Sequence, residues 1–301
     1  TADVFTIPAG ERYKTRETWG AVTDQMLDAG LGRDAAVIAL GGGVVGDLAG
    51  FVAATFMRGI PLVQVPTTLL AMLDASIGGK TAVDTPAGKN LVGAFHQPAA
   101  VIADPAVLAT LPIAQYRAGI TEALKHGVIA EAAHFEAVAA TAAAMGRRRP
   151  DERAISAIIA RSVEIKSAVV YGDYRESGRR KTLNFGHTIG HAIEHLSGYS
   201  LLHGEAVAIG MCLEATIAER LGVAAPGTAD RIRNACAAAE LPTERPRDLA
   251  PEAILRATQG DKKGRAGRAE YALPAAIGTM AFADRGWAAP VDDDVVLAAL
   301  G

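Results

Sequence analysis

Short apolar runs alternate with longer helical patterns over the first third of the chain. The stretches at residues 37–40 (VIAL) and 62–65 (LVQV) predict buried strands, and residues 101–103 are a third candidate. Between them, residues 44–57 and about 69–76 carry the apolar periodicity of helices. Strands that alternate with helices predict parallel βαβ units, because a parallel connection needs a crossover.

The pattern changes beyond residue 111, where long Ala-rich segments with interspersed Glu and Arg show helical periodicity up to the C-terminus. We therefore expect an α/β domain over residues 1–110 and an all-helical domain over residues 111–301. The sequence GRRRP at 146–150 predicts a solvated connection between helices, since three arginines without interleaved aromatic residues are a weak nucleic-acid signal.

Composition sets the class of protein. Half of the 301 residues are apolar and 21% are charged, which is typical of a folded globular protein. A net charge of -3 gives no general attraction to nucleic acid or membranes, so any anion binding must be local. Cys212 and Cys236 are the only cysteines and lack CxxC spacing, which favours a reducing cytoplasm over a disulfide framework. The chain begins at Thr1 rather than Met, which leaves open whether a natural N-terminal segment precedes it.

Histidines are concentrated in one window. Four of the seven, His187, His191, His195 and His203, lie within residues 184–205, and the first three recur every four positions. On a helix this spacing places three side chains on roughly one face, where imidazole nitrogens suit a divalent ion such as Zn²⁺. The alternative is a set of ordinary surface and core histidines. Because four histidines fall so close together, we favour a metal site.

A glycine-rich turn follows the first predicted strand. Residues 41–47 (GGGVVGD) join that strand to a helix, so backbone N–H groups and the positive end of the helix dipole lie at the carboxyl edge of the sheet. A pyrophosphate fits such a turn. The hydroxyls of Thr67 and Thr68 follow the second strand and are expected in the same crevice. The spacing is not GxGxxG, and an ordinary tight turn is the alternative.

Two lysines lie in predicted glycine-rich loops after the helix that carries Asp74. Lys80 follows two glycines within residues 76–84, and Lys89 follows Gly88. Glycines let the backbone and an ammonium group approach a ligand closely, which suits a phosphorylated or carboxylated substrate. Solvated lysines without a role are the alternative.

Further polar groups precede the histidine window. Glu122 and Lys125, three positions apart on a helix, predict a surface ion pair that contributes only about 0.3 to 0.5 kcal/mol. The polar segment 173–180 leads directly into the histidine window. We therefore expect Arg180 and Asn184 to lie beside the metal.

Taken together, these motifs resemble those of the 3-dehydroquinate synthase family and, more broadly, of the sugar-phosphate cyclase superfamily. The resemblance covers nearly the whole chain. It rests on PAGERYK at 8–14, GGGVVGD at 41–47, VPTTLL at 65–70, SIGGKTAVD at 76–84, GKNLVGAF at 88–95, LNFGHTIGHAIE at 183–194, HGEAVAIGM at 203–211 and DKK at 261–263.

The resemblance implies a Rossmann-like, parallel-sheet domain that binds NAD over residues 1–110, and an all-helical domain that binds metal and substrate over residues 111–301. Members of the family generally carry roughly fifty to sixty further N-terminal residues, which complete the nucleotide fold and include an acid for a cofactor ribose. That acid has no counterpart here, so the first domain is expected to lack its first units.

The ligand set that the resemblance implies differs from the helical spacing. Glu122, His187 and His203 are implied as ligands of a catalytic divalent ion, usually zinc, with cobalt as an alternative. His191 is left for substrate contact, and His195 is left without a functional role.

Further residues are implied by their positions within the matching motifs. An arginine at the position of Arg58 reaches the substrate phosphate across a dimer interface, which implies a homodimer. The residues implied for NAD are Glu11, Lys14, Gly41, Gly42, Gly43, Asp47, Thr67 and Thr68, with Asp74, Lys80 and Lys89 shared with the substrate. The residues implied for the substrate pocket are Asp74, Lys80, Lys89, Asn90, Lys125, Lys166, Arg180, Asn184, His191 and Lys262.

The activity implied is conversion of 3-deoxy-D-arabino-heptulosonate 7-phosphate into 3-dehydroquinate and phosphate, a step of the shikimate pathway to aromatic amino acids. NAD accepts hydride from C5, phosphate leaves with loss of the C6 proton, the hydride returns, and the opened ring closes by an aldol reaction. A substrate with a carboxylate and a phosphate accounts for a lysine-rich pocket in an acidic protein. No nucleic-acid or membrane partner is implied.

Three other functions share parts of these motifs. Another cyclase, making 2-deoxy-scyllo-inosose, a valiolone or an amino-dehydroquinate, would share fold, NAD and metal, but residues 76–84 with Lys166 and Arg180 favour the carboxylated substrate. An NAD alcohol dehydrogenase of the glycerol dehydrogenase type would release NADH and does not need the full lysine set. An inactive, regulatory or truncated homologue is the third, and in that case the chain as given has weak activity unless the natural protein carries a further N-terminal segment.

Overall fold

The structure is a computed structural model that describes residues 2–86, 88–145, 151–260 and 269–301. Two units divide the chain, Thr1–Leu111 and Pro112–Gly301. A small parallel sheet forms the centre of the first unit, and helices dominate the second. Among the described residues, no helix combines the length and the apolar character that a membrane span requires.

The parallel strands predicted for the first unit are confirmed, in the order β1-β2-β5. Its elements in chain order are α1 (Arg16–Asp28), β1 (Val37–Gly41), α2 (Gly43–Thr55), β2 (Leu62–Pro66), β3 (Lys80–Thr85), β4 (Gly88–Phe95) and β5 (Ala100–Val101). The register pairs Leu40 with Val65 and Gln64 with Val101. The third strand therefore begins and ends earlier than the predicted range 101–103.

Helix α2 is the crossover between β1 and β2, and it buries one face of the sheet. Ala39 packs in a core with Leu48 and Val52 of α2. Ile38 and Leu40, by contrast, are 68% and 66% exposed. The prediction of a buried strand is thus wrong for half of these residues, because side chains alternate across a strand and α2 covers a single face.

The helix predicted over residues 44–57 ends at Thr55. Met57 and Arg58 have φ angles of 49° and 68°, in the left-handed region that non-glycine residues seldom adopt. Met57 continues the apolar pattern of the helix, so the pattern hides this break. The helix predicted near residues 69–76 is present as a π-helical turn at Ala71–Ala75.

Lys80 and Lys89 lie in strands, so their prediction as loop residues is wrong. Strands β3 and β4 form an antiparallel hairpin that pairs Lys80 with Phe95. Gly78 and Gly79 before β3 adopt left-handed backbone angles, with φ of 102° and 66°, and Gly88 at the start of β4 has a φ of 151°. The glycines that suggested loops therefore mark the approach to the hairpin and its closing turn, while β-branched residues between them form the strands.

The second unit is rich in helices but not all-helical. Its elements in chain order are α3 (Ile113–Ala130), α4 (Ala132–Met145), α5 (Glu152–Gly172), α6 (His187–Leu196), α7 (His203–Arg220), α8 (Thr228–Ala238), α9 (Pro251–Gly260), β6 (Glu270–Tyr271), β7 (Pro274–Ala276), β8 (Thr279–Met280), β9 (Ala289–Pro290) and α10 (Asp293–Leu300). Strand β6 pairs with β9, and β7 with β8, both antiparallel. The all-helical prediction is wrong here because strands of two or three residues are too short for an alternating pattern to be recognised.

Two glycines bring α7 against its neighbours. A Cβ at Gly204 would overlap the carbonyl oxygen of Ala118 on α3, and one at Gly210 would overlap that of Gly186, just before α6. Backbones approach this closely only where a side chain is missing. The first turn of α7 is therefore held close to α3, and the middle of α7 is held close to the turn before α6.

Candidate functional site

His187 is the first residue of helix α6, and the preceding turn sets its position. Gly186 has a left-handed φ of 79°, which glycine adopts without strain. The buried carboxylate of Glu214 accepts hydrogen bonds from the backbone N–H groups of Gly186 (2.7 Å) and Ile189 (3.0 Å). A carboxylate at a helix N-terminus satisfies donors that lack intrahelical partners and interacts favourably with the helix dipole. Glu214 therefore anchors the turn that carries His187.

Three histidines of the window converge, and the fourth does not. The ring centroids of His187 and His191 are 5.1 Å apart, and that of His203 lies 5.3 Å and 5.7 Å from them. One ring nitrogen of each lies within 4.8 Å of the other two. His195 instead contacts the hydroxyl of Tyr199 at 3.4 Å. The expectation of three histidines on one face of the helix is wrong for His195, because eight positions rotate a side chain by about 80° around an α-helix.

Glu122 reaches the same point from helix α3. Its Oε1 lies 3.7 Å from Nε2 of His187 and 3.8 Å from Nε2 of His203. Its Oε2 is ion-paired with Nζ of Lys125. Both side chains are at most 2% exposed, so the predicted surface ion pair is a buried one. The reason is that α3 is enclosed by other helices from Tyr116 onward, which a short polar spacing does not reveal.

The spacing of these three atoms suits a shared ion better than hydrogen bonds. Hydrogen bonds between nitrogen and oxygen are about 2.7 to 3.2 Å long, whereas tetrahedral ligands at about 2.1 Å from zinc lie about 3.4 Å apart. Within the described part of the chain, Oε1 of Glu122 has no hydrogen-bond partner although it is buried. Two imidazole nitrogens and one carboxylate oxygen fit zinc or cobalt.

The neutral form of both imidazoles carries its proton on Nδ1, which leaves Nε2 free to bind an ion. Nδ1 of His187 donates to the carbonyl oxygen of Phe185 (3.1 Å), and Nδ1 of His203 donates to Oε2 of Glu194 (3.3 Å). A carbonyl and a carboxylate can only accept, so the proton is on Nδ1. Burial and then the charge of Lys125 lower the pKa of His187 well below its ordinary value. Burial also lowers the pKa of His203, but the neighbouring carboxylates outweigh it and raise that pKa.

The 3₁₀ turn Arg179–Asn184 before α6 carries two predicted residues. Arg180 is buried, and its Nη1 donates to the carbonyl oxygen of Tyr174 at 2.7 Å. Nδ2 of Asn184 donates to Oε1 of Glu176 at 2.6 Å. Sequence reasoning missed Glu176, whose left-handed φ of 60° is a backbone feature that no apolar pattern reveals.

The second unit contains two further residues that the sequence suggested, Lys166 and Lys262. Lys166 is buried within α5. Lys262 lies outside the described residues, and so does the connection predicted at 146–150.

In the first unit, the glycine turn joins a strand to a helix as predicted. Gly41 ends β1, Gly42 is the N-cap of α2, and Gly43 is its first residue. The backbone N–H of Thr67 donates to the carbonyl oxygen of Gly41 at 2.8 Å. A Cβ at Gly42 would lie 3.0 Å from Cγ2 of Thr68. Both threonines therefore lie at the edge where α2 begins, and a helix N-terminus there suits an anion.

Lys14 lies inside a cluster of polar side chains. Its Nζ is 2.9 Å from Glu11, 3.1 Å from Asp47 and 3.7 Å from Asp84, and it donates to Oδ1 of Asn90 at 2.7 Å. Burial lowers the pKa of Lys14, but the three carboxylates outweigh burial and raise it. Burial raises the pKa of Asp47, and Lys14 opposes that shift. This Lys14 cluster unites four residues that the sequence suggested, and it adds Asp84, which sequence reasoning missed.

The other predicted residues of the first unit lie in varied surroundings. Nζ of Lys89 is 3.5 Å from Oε1 of Glu11, next to the Lys14 cluster. Arg58 and Lys80 are exposed, and Asp74 is partly buried in the π-helical turn.

Known proteins are similar in sequence to this chain over most of its length. The family model described as 3-dehydroquinate synthase N-terminal matches residues 4–118, and the one described as 3-dehydroquinate synthase C-terminal matches residues 119–264. The 3-dehydroquinate synthase of Synechococcus sp. is 48% identical over 284 residues, which cover 94% of this chain and 77% of that protein. The enzyme of the same name from Xylella fastidiosa is 51% identical over 282 residues, 92% of this chain and 76% of that protein.

Solved structures share the fold. A 2-deoxy-scyllo-inosose synthase, complexed with carbaglucose-6-phosphate, NAD+ and Co2+, has a TM-score of 0.85 at 28% identity and covers 97% of this chain and 80% of its own. The 2-epi-5-epi-valiolone synthase of Streptomyces hygroscopicus, with NAD+ and Zn2+ bound, has a TM-score of 0.88 at 31% identity, with 98% and 80% covered. Since the two family models match consecutive segments that make up most of the sequence, the chain belongs to the 3-dehydroquinate synthase family.

Proposed function

We propose that the protein converts 3-deoxy-D-arabino-heptulosonate 7-phosphate into 3-dehydroquinate and phosphate, as a carbon–oxygen lyase of the shikimate pathway. The observation that carries the proposal is the convergence of Nε2 of His187 and of His203 on Oε1 of Glu122. It occurs in a chain 48% and 51% identical to two 3-dehydroquinate synthases. Family membership supports the overall reaction, and the convergence supports the place where part of it occurs.

In the second unit, Glu122, His187 and His203 would hold a divalent ion, zinc or cobalt. When bound, the ion supplies a Lewis acid that coordinates substrate hydroxyls and lowers their pKa. The chain's own residues prepare this site, because the Nδ1 hydrogen bonds orient both Nε2 lone pairs toward Glu122. His191 is exposed and its ring is 5.1 Å from that of His187, and its proposed role is to hydrogen-bond a substrate oxygen.

In the first unit, the start of α2 and residues Thr67 and Thr68 would bind the pyrophosphate of NAD. When bound, NAD supplies the hydride acceptor for C5 and returns the hydride later, so no net oxidation results. The Lys14 cluster holds Asp47, in the first turns of α2, together with Asn90 of the hairpin. Its proposed role is therefore to fix the polar groups beside the nucleotide.

Many of the residues proposed to bind the substrate carry cationic side chains. Ammonium and guanidinium groups form charge-assisted hydrogen bonds with carboxylate and phosphate, and several of them together hold one substrate through consecutive steps. In the first unit, the residues proposed to contact the substrate are Lys80, Lys89, Asp74 and Asn90. In the second unit, they are Lys125, Lys166, Arg180, Asn184, His191 and Lys262.

A homodimer is part of the proposal. Arg58 is exposed and, with Met57, has left-handed backbone angles, a conformation that costs about 1 to 3 kcal/mol and often marks a functional residue. Its proposed ligand is the substrate phosphate in the partner subunit.

The proposed compartment is the cytoplasm, because Cys212 and Cys236 are both free thiols. Cell fractionation against cytoplasmic and periplasmic markers tests the proposed cytoplasmic location.

The second candidate is another sugar-phosphate cyclase. The structural similarity to 2-deoxy-scyllo-inosose synthase and 2-epi-5-epi-valiolone synthase favours it, with TM-scores of 0.85 and 0.88. Identity to these proteins is only 28% and 31%, against 48% and 51% for the two 3-dehydroquinate synthases. The sequence comparison therefore favours the heptulosonate substrate.

A phosphate-release assay with three substrates tests the proposal. The purified protein is incubated with heptulosonate phosphate, glucose 6-phosphate or sedoheptulose 7-phosphate, with and without NAD and a chelator. We expect release from heptulosonate phosphate alone, dependent on NAD and stopped by the chelator. Release of phosphate from another sugar phosphate would identify a different cyclase. Accumulation of NADH would identify a dehydrogenase, and a lack of phosphate release from all three substrates would identify an inactive homologue.

A further inference from the structure

Glu194 is on the helix that supplies His187, yet its carboxylate contacts the histidine of the next helix. It lies seven positions after His187 and three after His191, so the three side chains share one face of α6. It is 4% exposed, and its Oε2 is 3.3 Å from Nδ1 of His203. We propose that Glu194 is a positioning residue, which holds the His203 imidazole so that Nε2 is unprotonated and directed at Glu122. This inference rests on the proposed metal site.

The ring of His203 is bracketed by two carboxylates. Glu194 is within hydrogen-bond distance of Nδ1, whereas Oε1 of Glu122 is 3.8 Å from Nε2. The first contact fixes the tautomer, and the second leaves the space of an ion between ring and carboxylate. A ring rotated by 180° would place the carbon atom Cε1 where Nε2 now faces Glu122, and a carbon atom cannot bind the ion.

The backbone of His203 is held without Glu194. Oε2 of Glu205 accepts from the backbone N–H of Leu202 at 2.8 Å, and the hydroxyl of Thr121 donates to the carbonyl oxygen of Gly204 at 2.9 Å. Both contacts flank His203 in the chain. Removal of the Glu194 carboxylate should therefore free the ring and leave the first turn of α7 in place.

The two proposed histidine ligands are supported differently. His187 donates to a neutral backbone carbonyl, that of Phe185, whereas His203 donates to the charged carboxylate of Glu194. A carboxylate on the far nitrogen makes the near nitrogen a stronger ligand, and losing such a partner typically lowers metal affinity by about 10- to 100-fold. Because a side chain supplies this support, substitution can test it.

The experiment compares wild type with E194Q, E194A and E219Q in the full chain. Glutamine keeps the size of Glu194 but loses its charge, and its amide group can also donate to Nδ1, which selects the wrong tautomer. Alanine removes the contact. E219Q is the matched control, because Glu219 lies on α7 and its Oε1 accepts a hydrogen bond from the backbone N–H of Ala229 at 2.8 Å. Among the described residues, Glu219 forms no ion pair or hydrogen bond with a histidine.

Zn²⁺ affinity is measured by competition with a chromophoric chelator, and Co²⁺-loaded protein is examined by its visible d–d absorption. We expect the Zn²⁺ dissociation constant to rise about 10-fold in E194Q and up to about 100-fold in E194A, with an altered Co²⁺ spectrum. E219Q should match the wild type in both. Thermal unfolding of the chelator-treated variants should remain cooperative, which separates loss of positioning from loss of folding.

A Zn²⁺ affinity in E194A within twofold of wild type would overturn the inference while leaving the metal site intact. An equal loss in E219Q would do the same, since it would show that the effect is not specific to the His203 contact. A wild-type chain that bound no Zn²⁺ would overturn the proposed metal site and this inference together, so the two failures are distinguishable.

Discussion

Nζ of Lys14 lies 3.1 Å from Oδ2 of Asp47, thirty-three positions further along the chain. The same ammonium group contacts Glu11 in its own segment and Asp84 in the hairpin. One buried cation therefore links three separate segments of the first unit and interacts with three carboxylates.

Replacing Lys14 by Met should destabilise the protein strongly. Breaking a buried ion pair by removing one partner leaves an uncompensated charge and costs about 3 to 5 kcal/mol. We expect a loss of this size in the free energy of unfolding, measured by urea denaturation at pH 7. The control is K89M, because Lys89 is more exposed and its pair with Glu11 is 3.5 Å long, so its loss should stay below about 1 kcal/mol.

The K14M deficit should shrink in mild acid. Burial already raises the folded-state pKa of Asp47 and of Asp84, with Lys14 opposing the shift, so removing Lys14 raises both further. A carboxyl with a raised pKa takes up its proton in the folded state first, and folding becomes more favourable as pH falls through that pKa. The gap between K14M and wild type should therefore narrow between pH 7 and pH 5. A constant gap would contradict this origin of the deficit.

Substitutions should distinguish two ligand sets. The ring nitrogens of His187, His191 and His203 lie close enough to hold an ion by themselves, whereas the proposed site uses Glu122 in place of His191. We expect E122Q to lower Zn²⁺ affinity by more than about a hundredfold, since even partners outside the ligand set contribute 10- to 100-fold. H191A should keep one Zn²⁺ per chain and lose turnover. The metal content of both variants, measured by mass spectrometry, distinguishes the two ligand sets. Loss of Zn²⁺ in H191A with retention in E122Q would assign His191 as the ligand.

His134 should make stability depend on pH. It is buried on α4, its Nε2 lies 2.9 Å from Oγ of Ser162, and burial followed by the charge of His126 lowers its pKa to about 4. In the unfolded chain a histidine titrates near about 6.5, so only the unfolded state gains a proton between those values. Stability should therefore fall as pH drops from 6.5, by about 2 kcal/mol at pH 4.5.

H134Q keeps a hydrogen-bonding group but removes the titration, and it should flatten this part of the stability curve. The control is H195Q, because His195 is exposed. Urea midpoints at pH 6.5, 5.5 and 4.5 provide the comparison, and an unchanged slope in H134Q would assign the acid sensitivity to another group.

The contact between α7 and the turn before α6 should tolerate no side chain. A Cβ at Gly210 would overlap the carbonyl oxygen of Gly186, next to His187. We expect G210A to lower the free energy of unfolding by about 3 kcal/mol or more, and to weaken Zn²⁺ binding because the turn must move. In G172A, at the end of α5, the added Cβ meets no atom within 4 Å, so stability should be unchanged or slightly higher. Equal stability of the two variants in thermal unfolding would contradict the close approach.

Mixed dimers should test the role of Arg58. If Arg58 completes the site of the partner subunit, R58A and H187A are each inactive alone but leave one intact site in a mixed dimer. Unfolding and refolding the two together should restore about a quarter of wild-type phosphate release, because half of the dimers are mixed and each holds one intact site. No recovery, with dimers confirmed by sedimentation, would place Arg58 in its own subunit's site, and full activity of R58A alone would place it outside any site.

Local pattern determined much of this protein from sequence alone. The strands β1 and β2, the crossover α2 and the glycine turn between them follow from periodicity and glycine chemistry, which act over a few residues. The density of histidines likewise indicated a metal site. Motifs over nearly the whole chain indicated the family, and the family comparison confirmed it.

Tertiary structure decided what depends on distant segments. Burial of the Glu122 and Lys125 pair comes from the helices around α3, and the exposure of Ile38 and Leu40 comes from α2 covering one face of β1. Neither is a property of the residues' own neighbourhood in sequence.

The candidate site shows the same division. The spacing of the helical histidines suggested that His195 belongs with His187, yet rotation along α6 separates them and folding places Glu122, sixty-five positions earlier, beside His187 instead. Glu194, Glu214 and Asp84 had no local signal, because a lone acidic residue looks the same whether it is solvated or orients a neighbour. Sequence determines which groups are available for chemistry, whereas packing decides which of them meet, since contacts between remote segments depend on the whole set of close approaches between helices and strands.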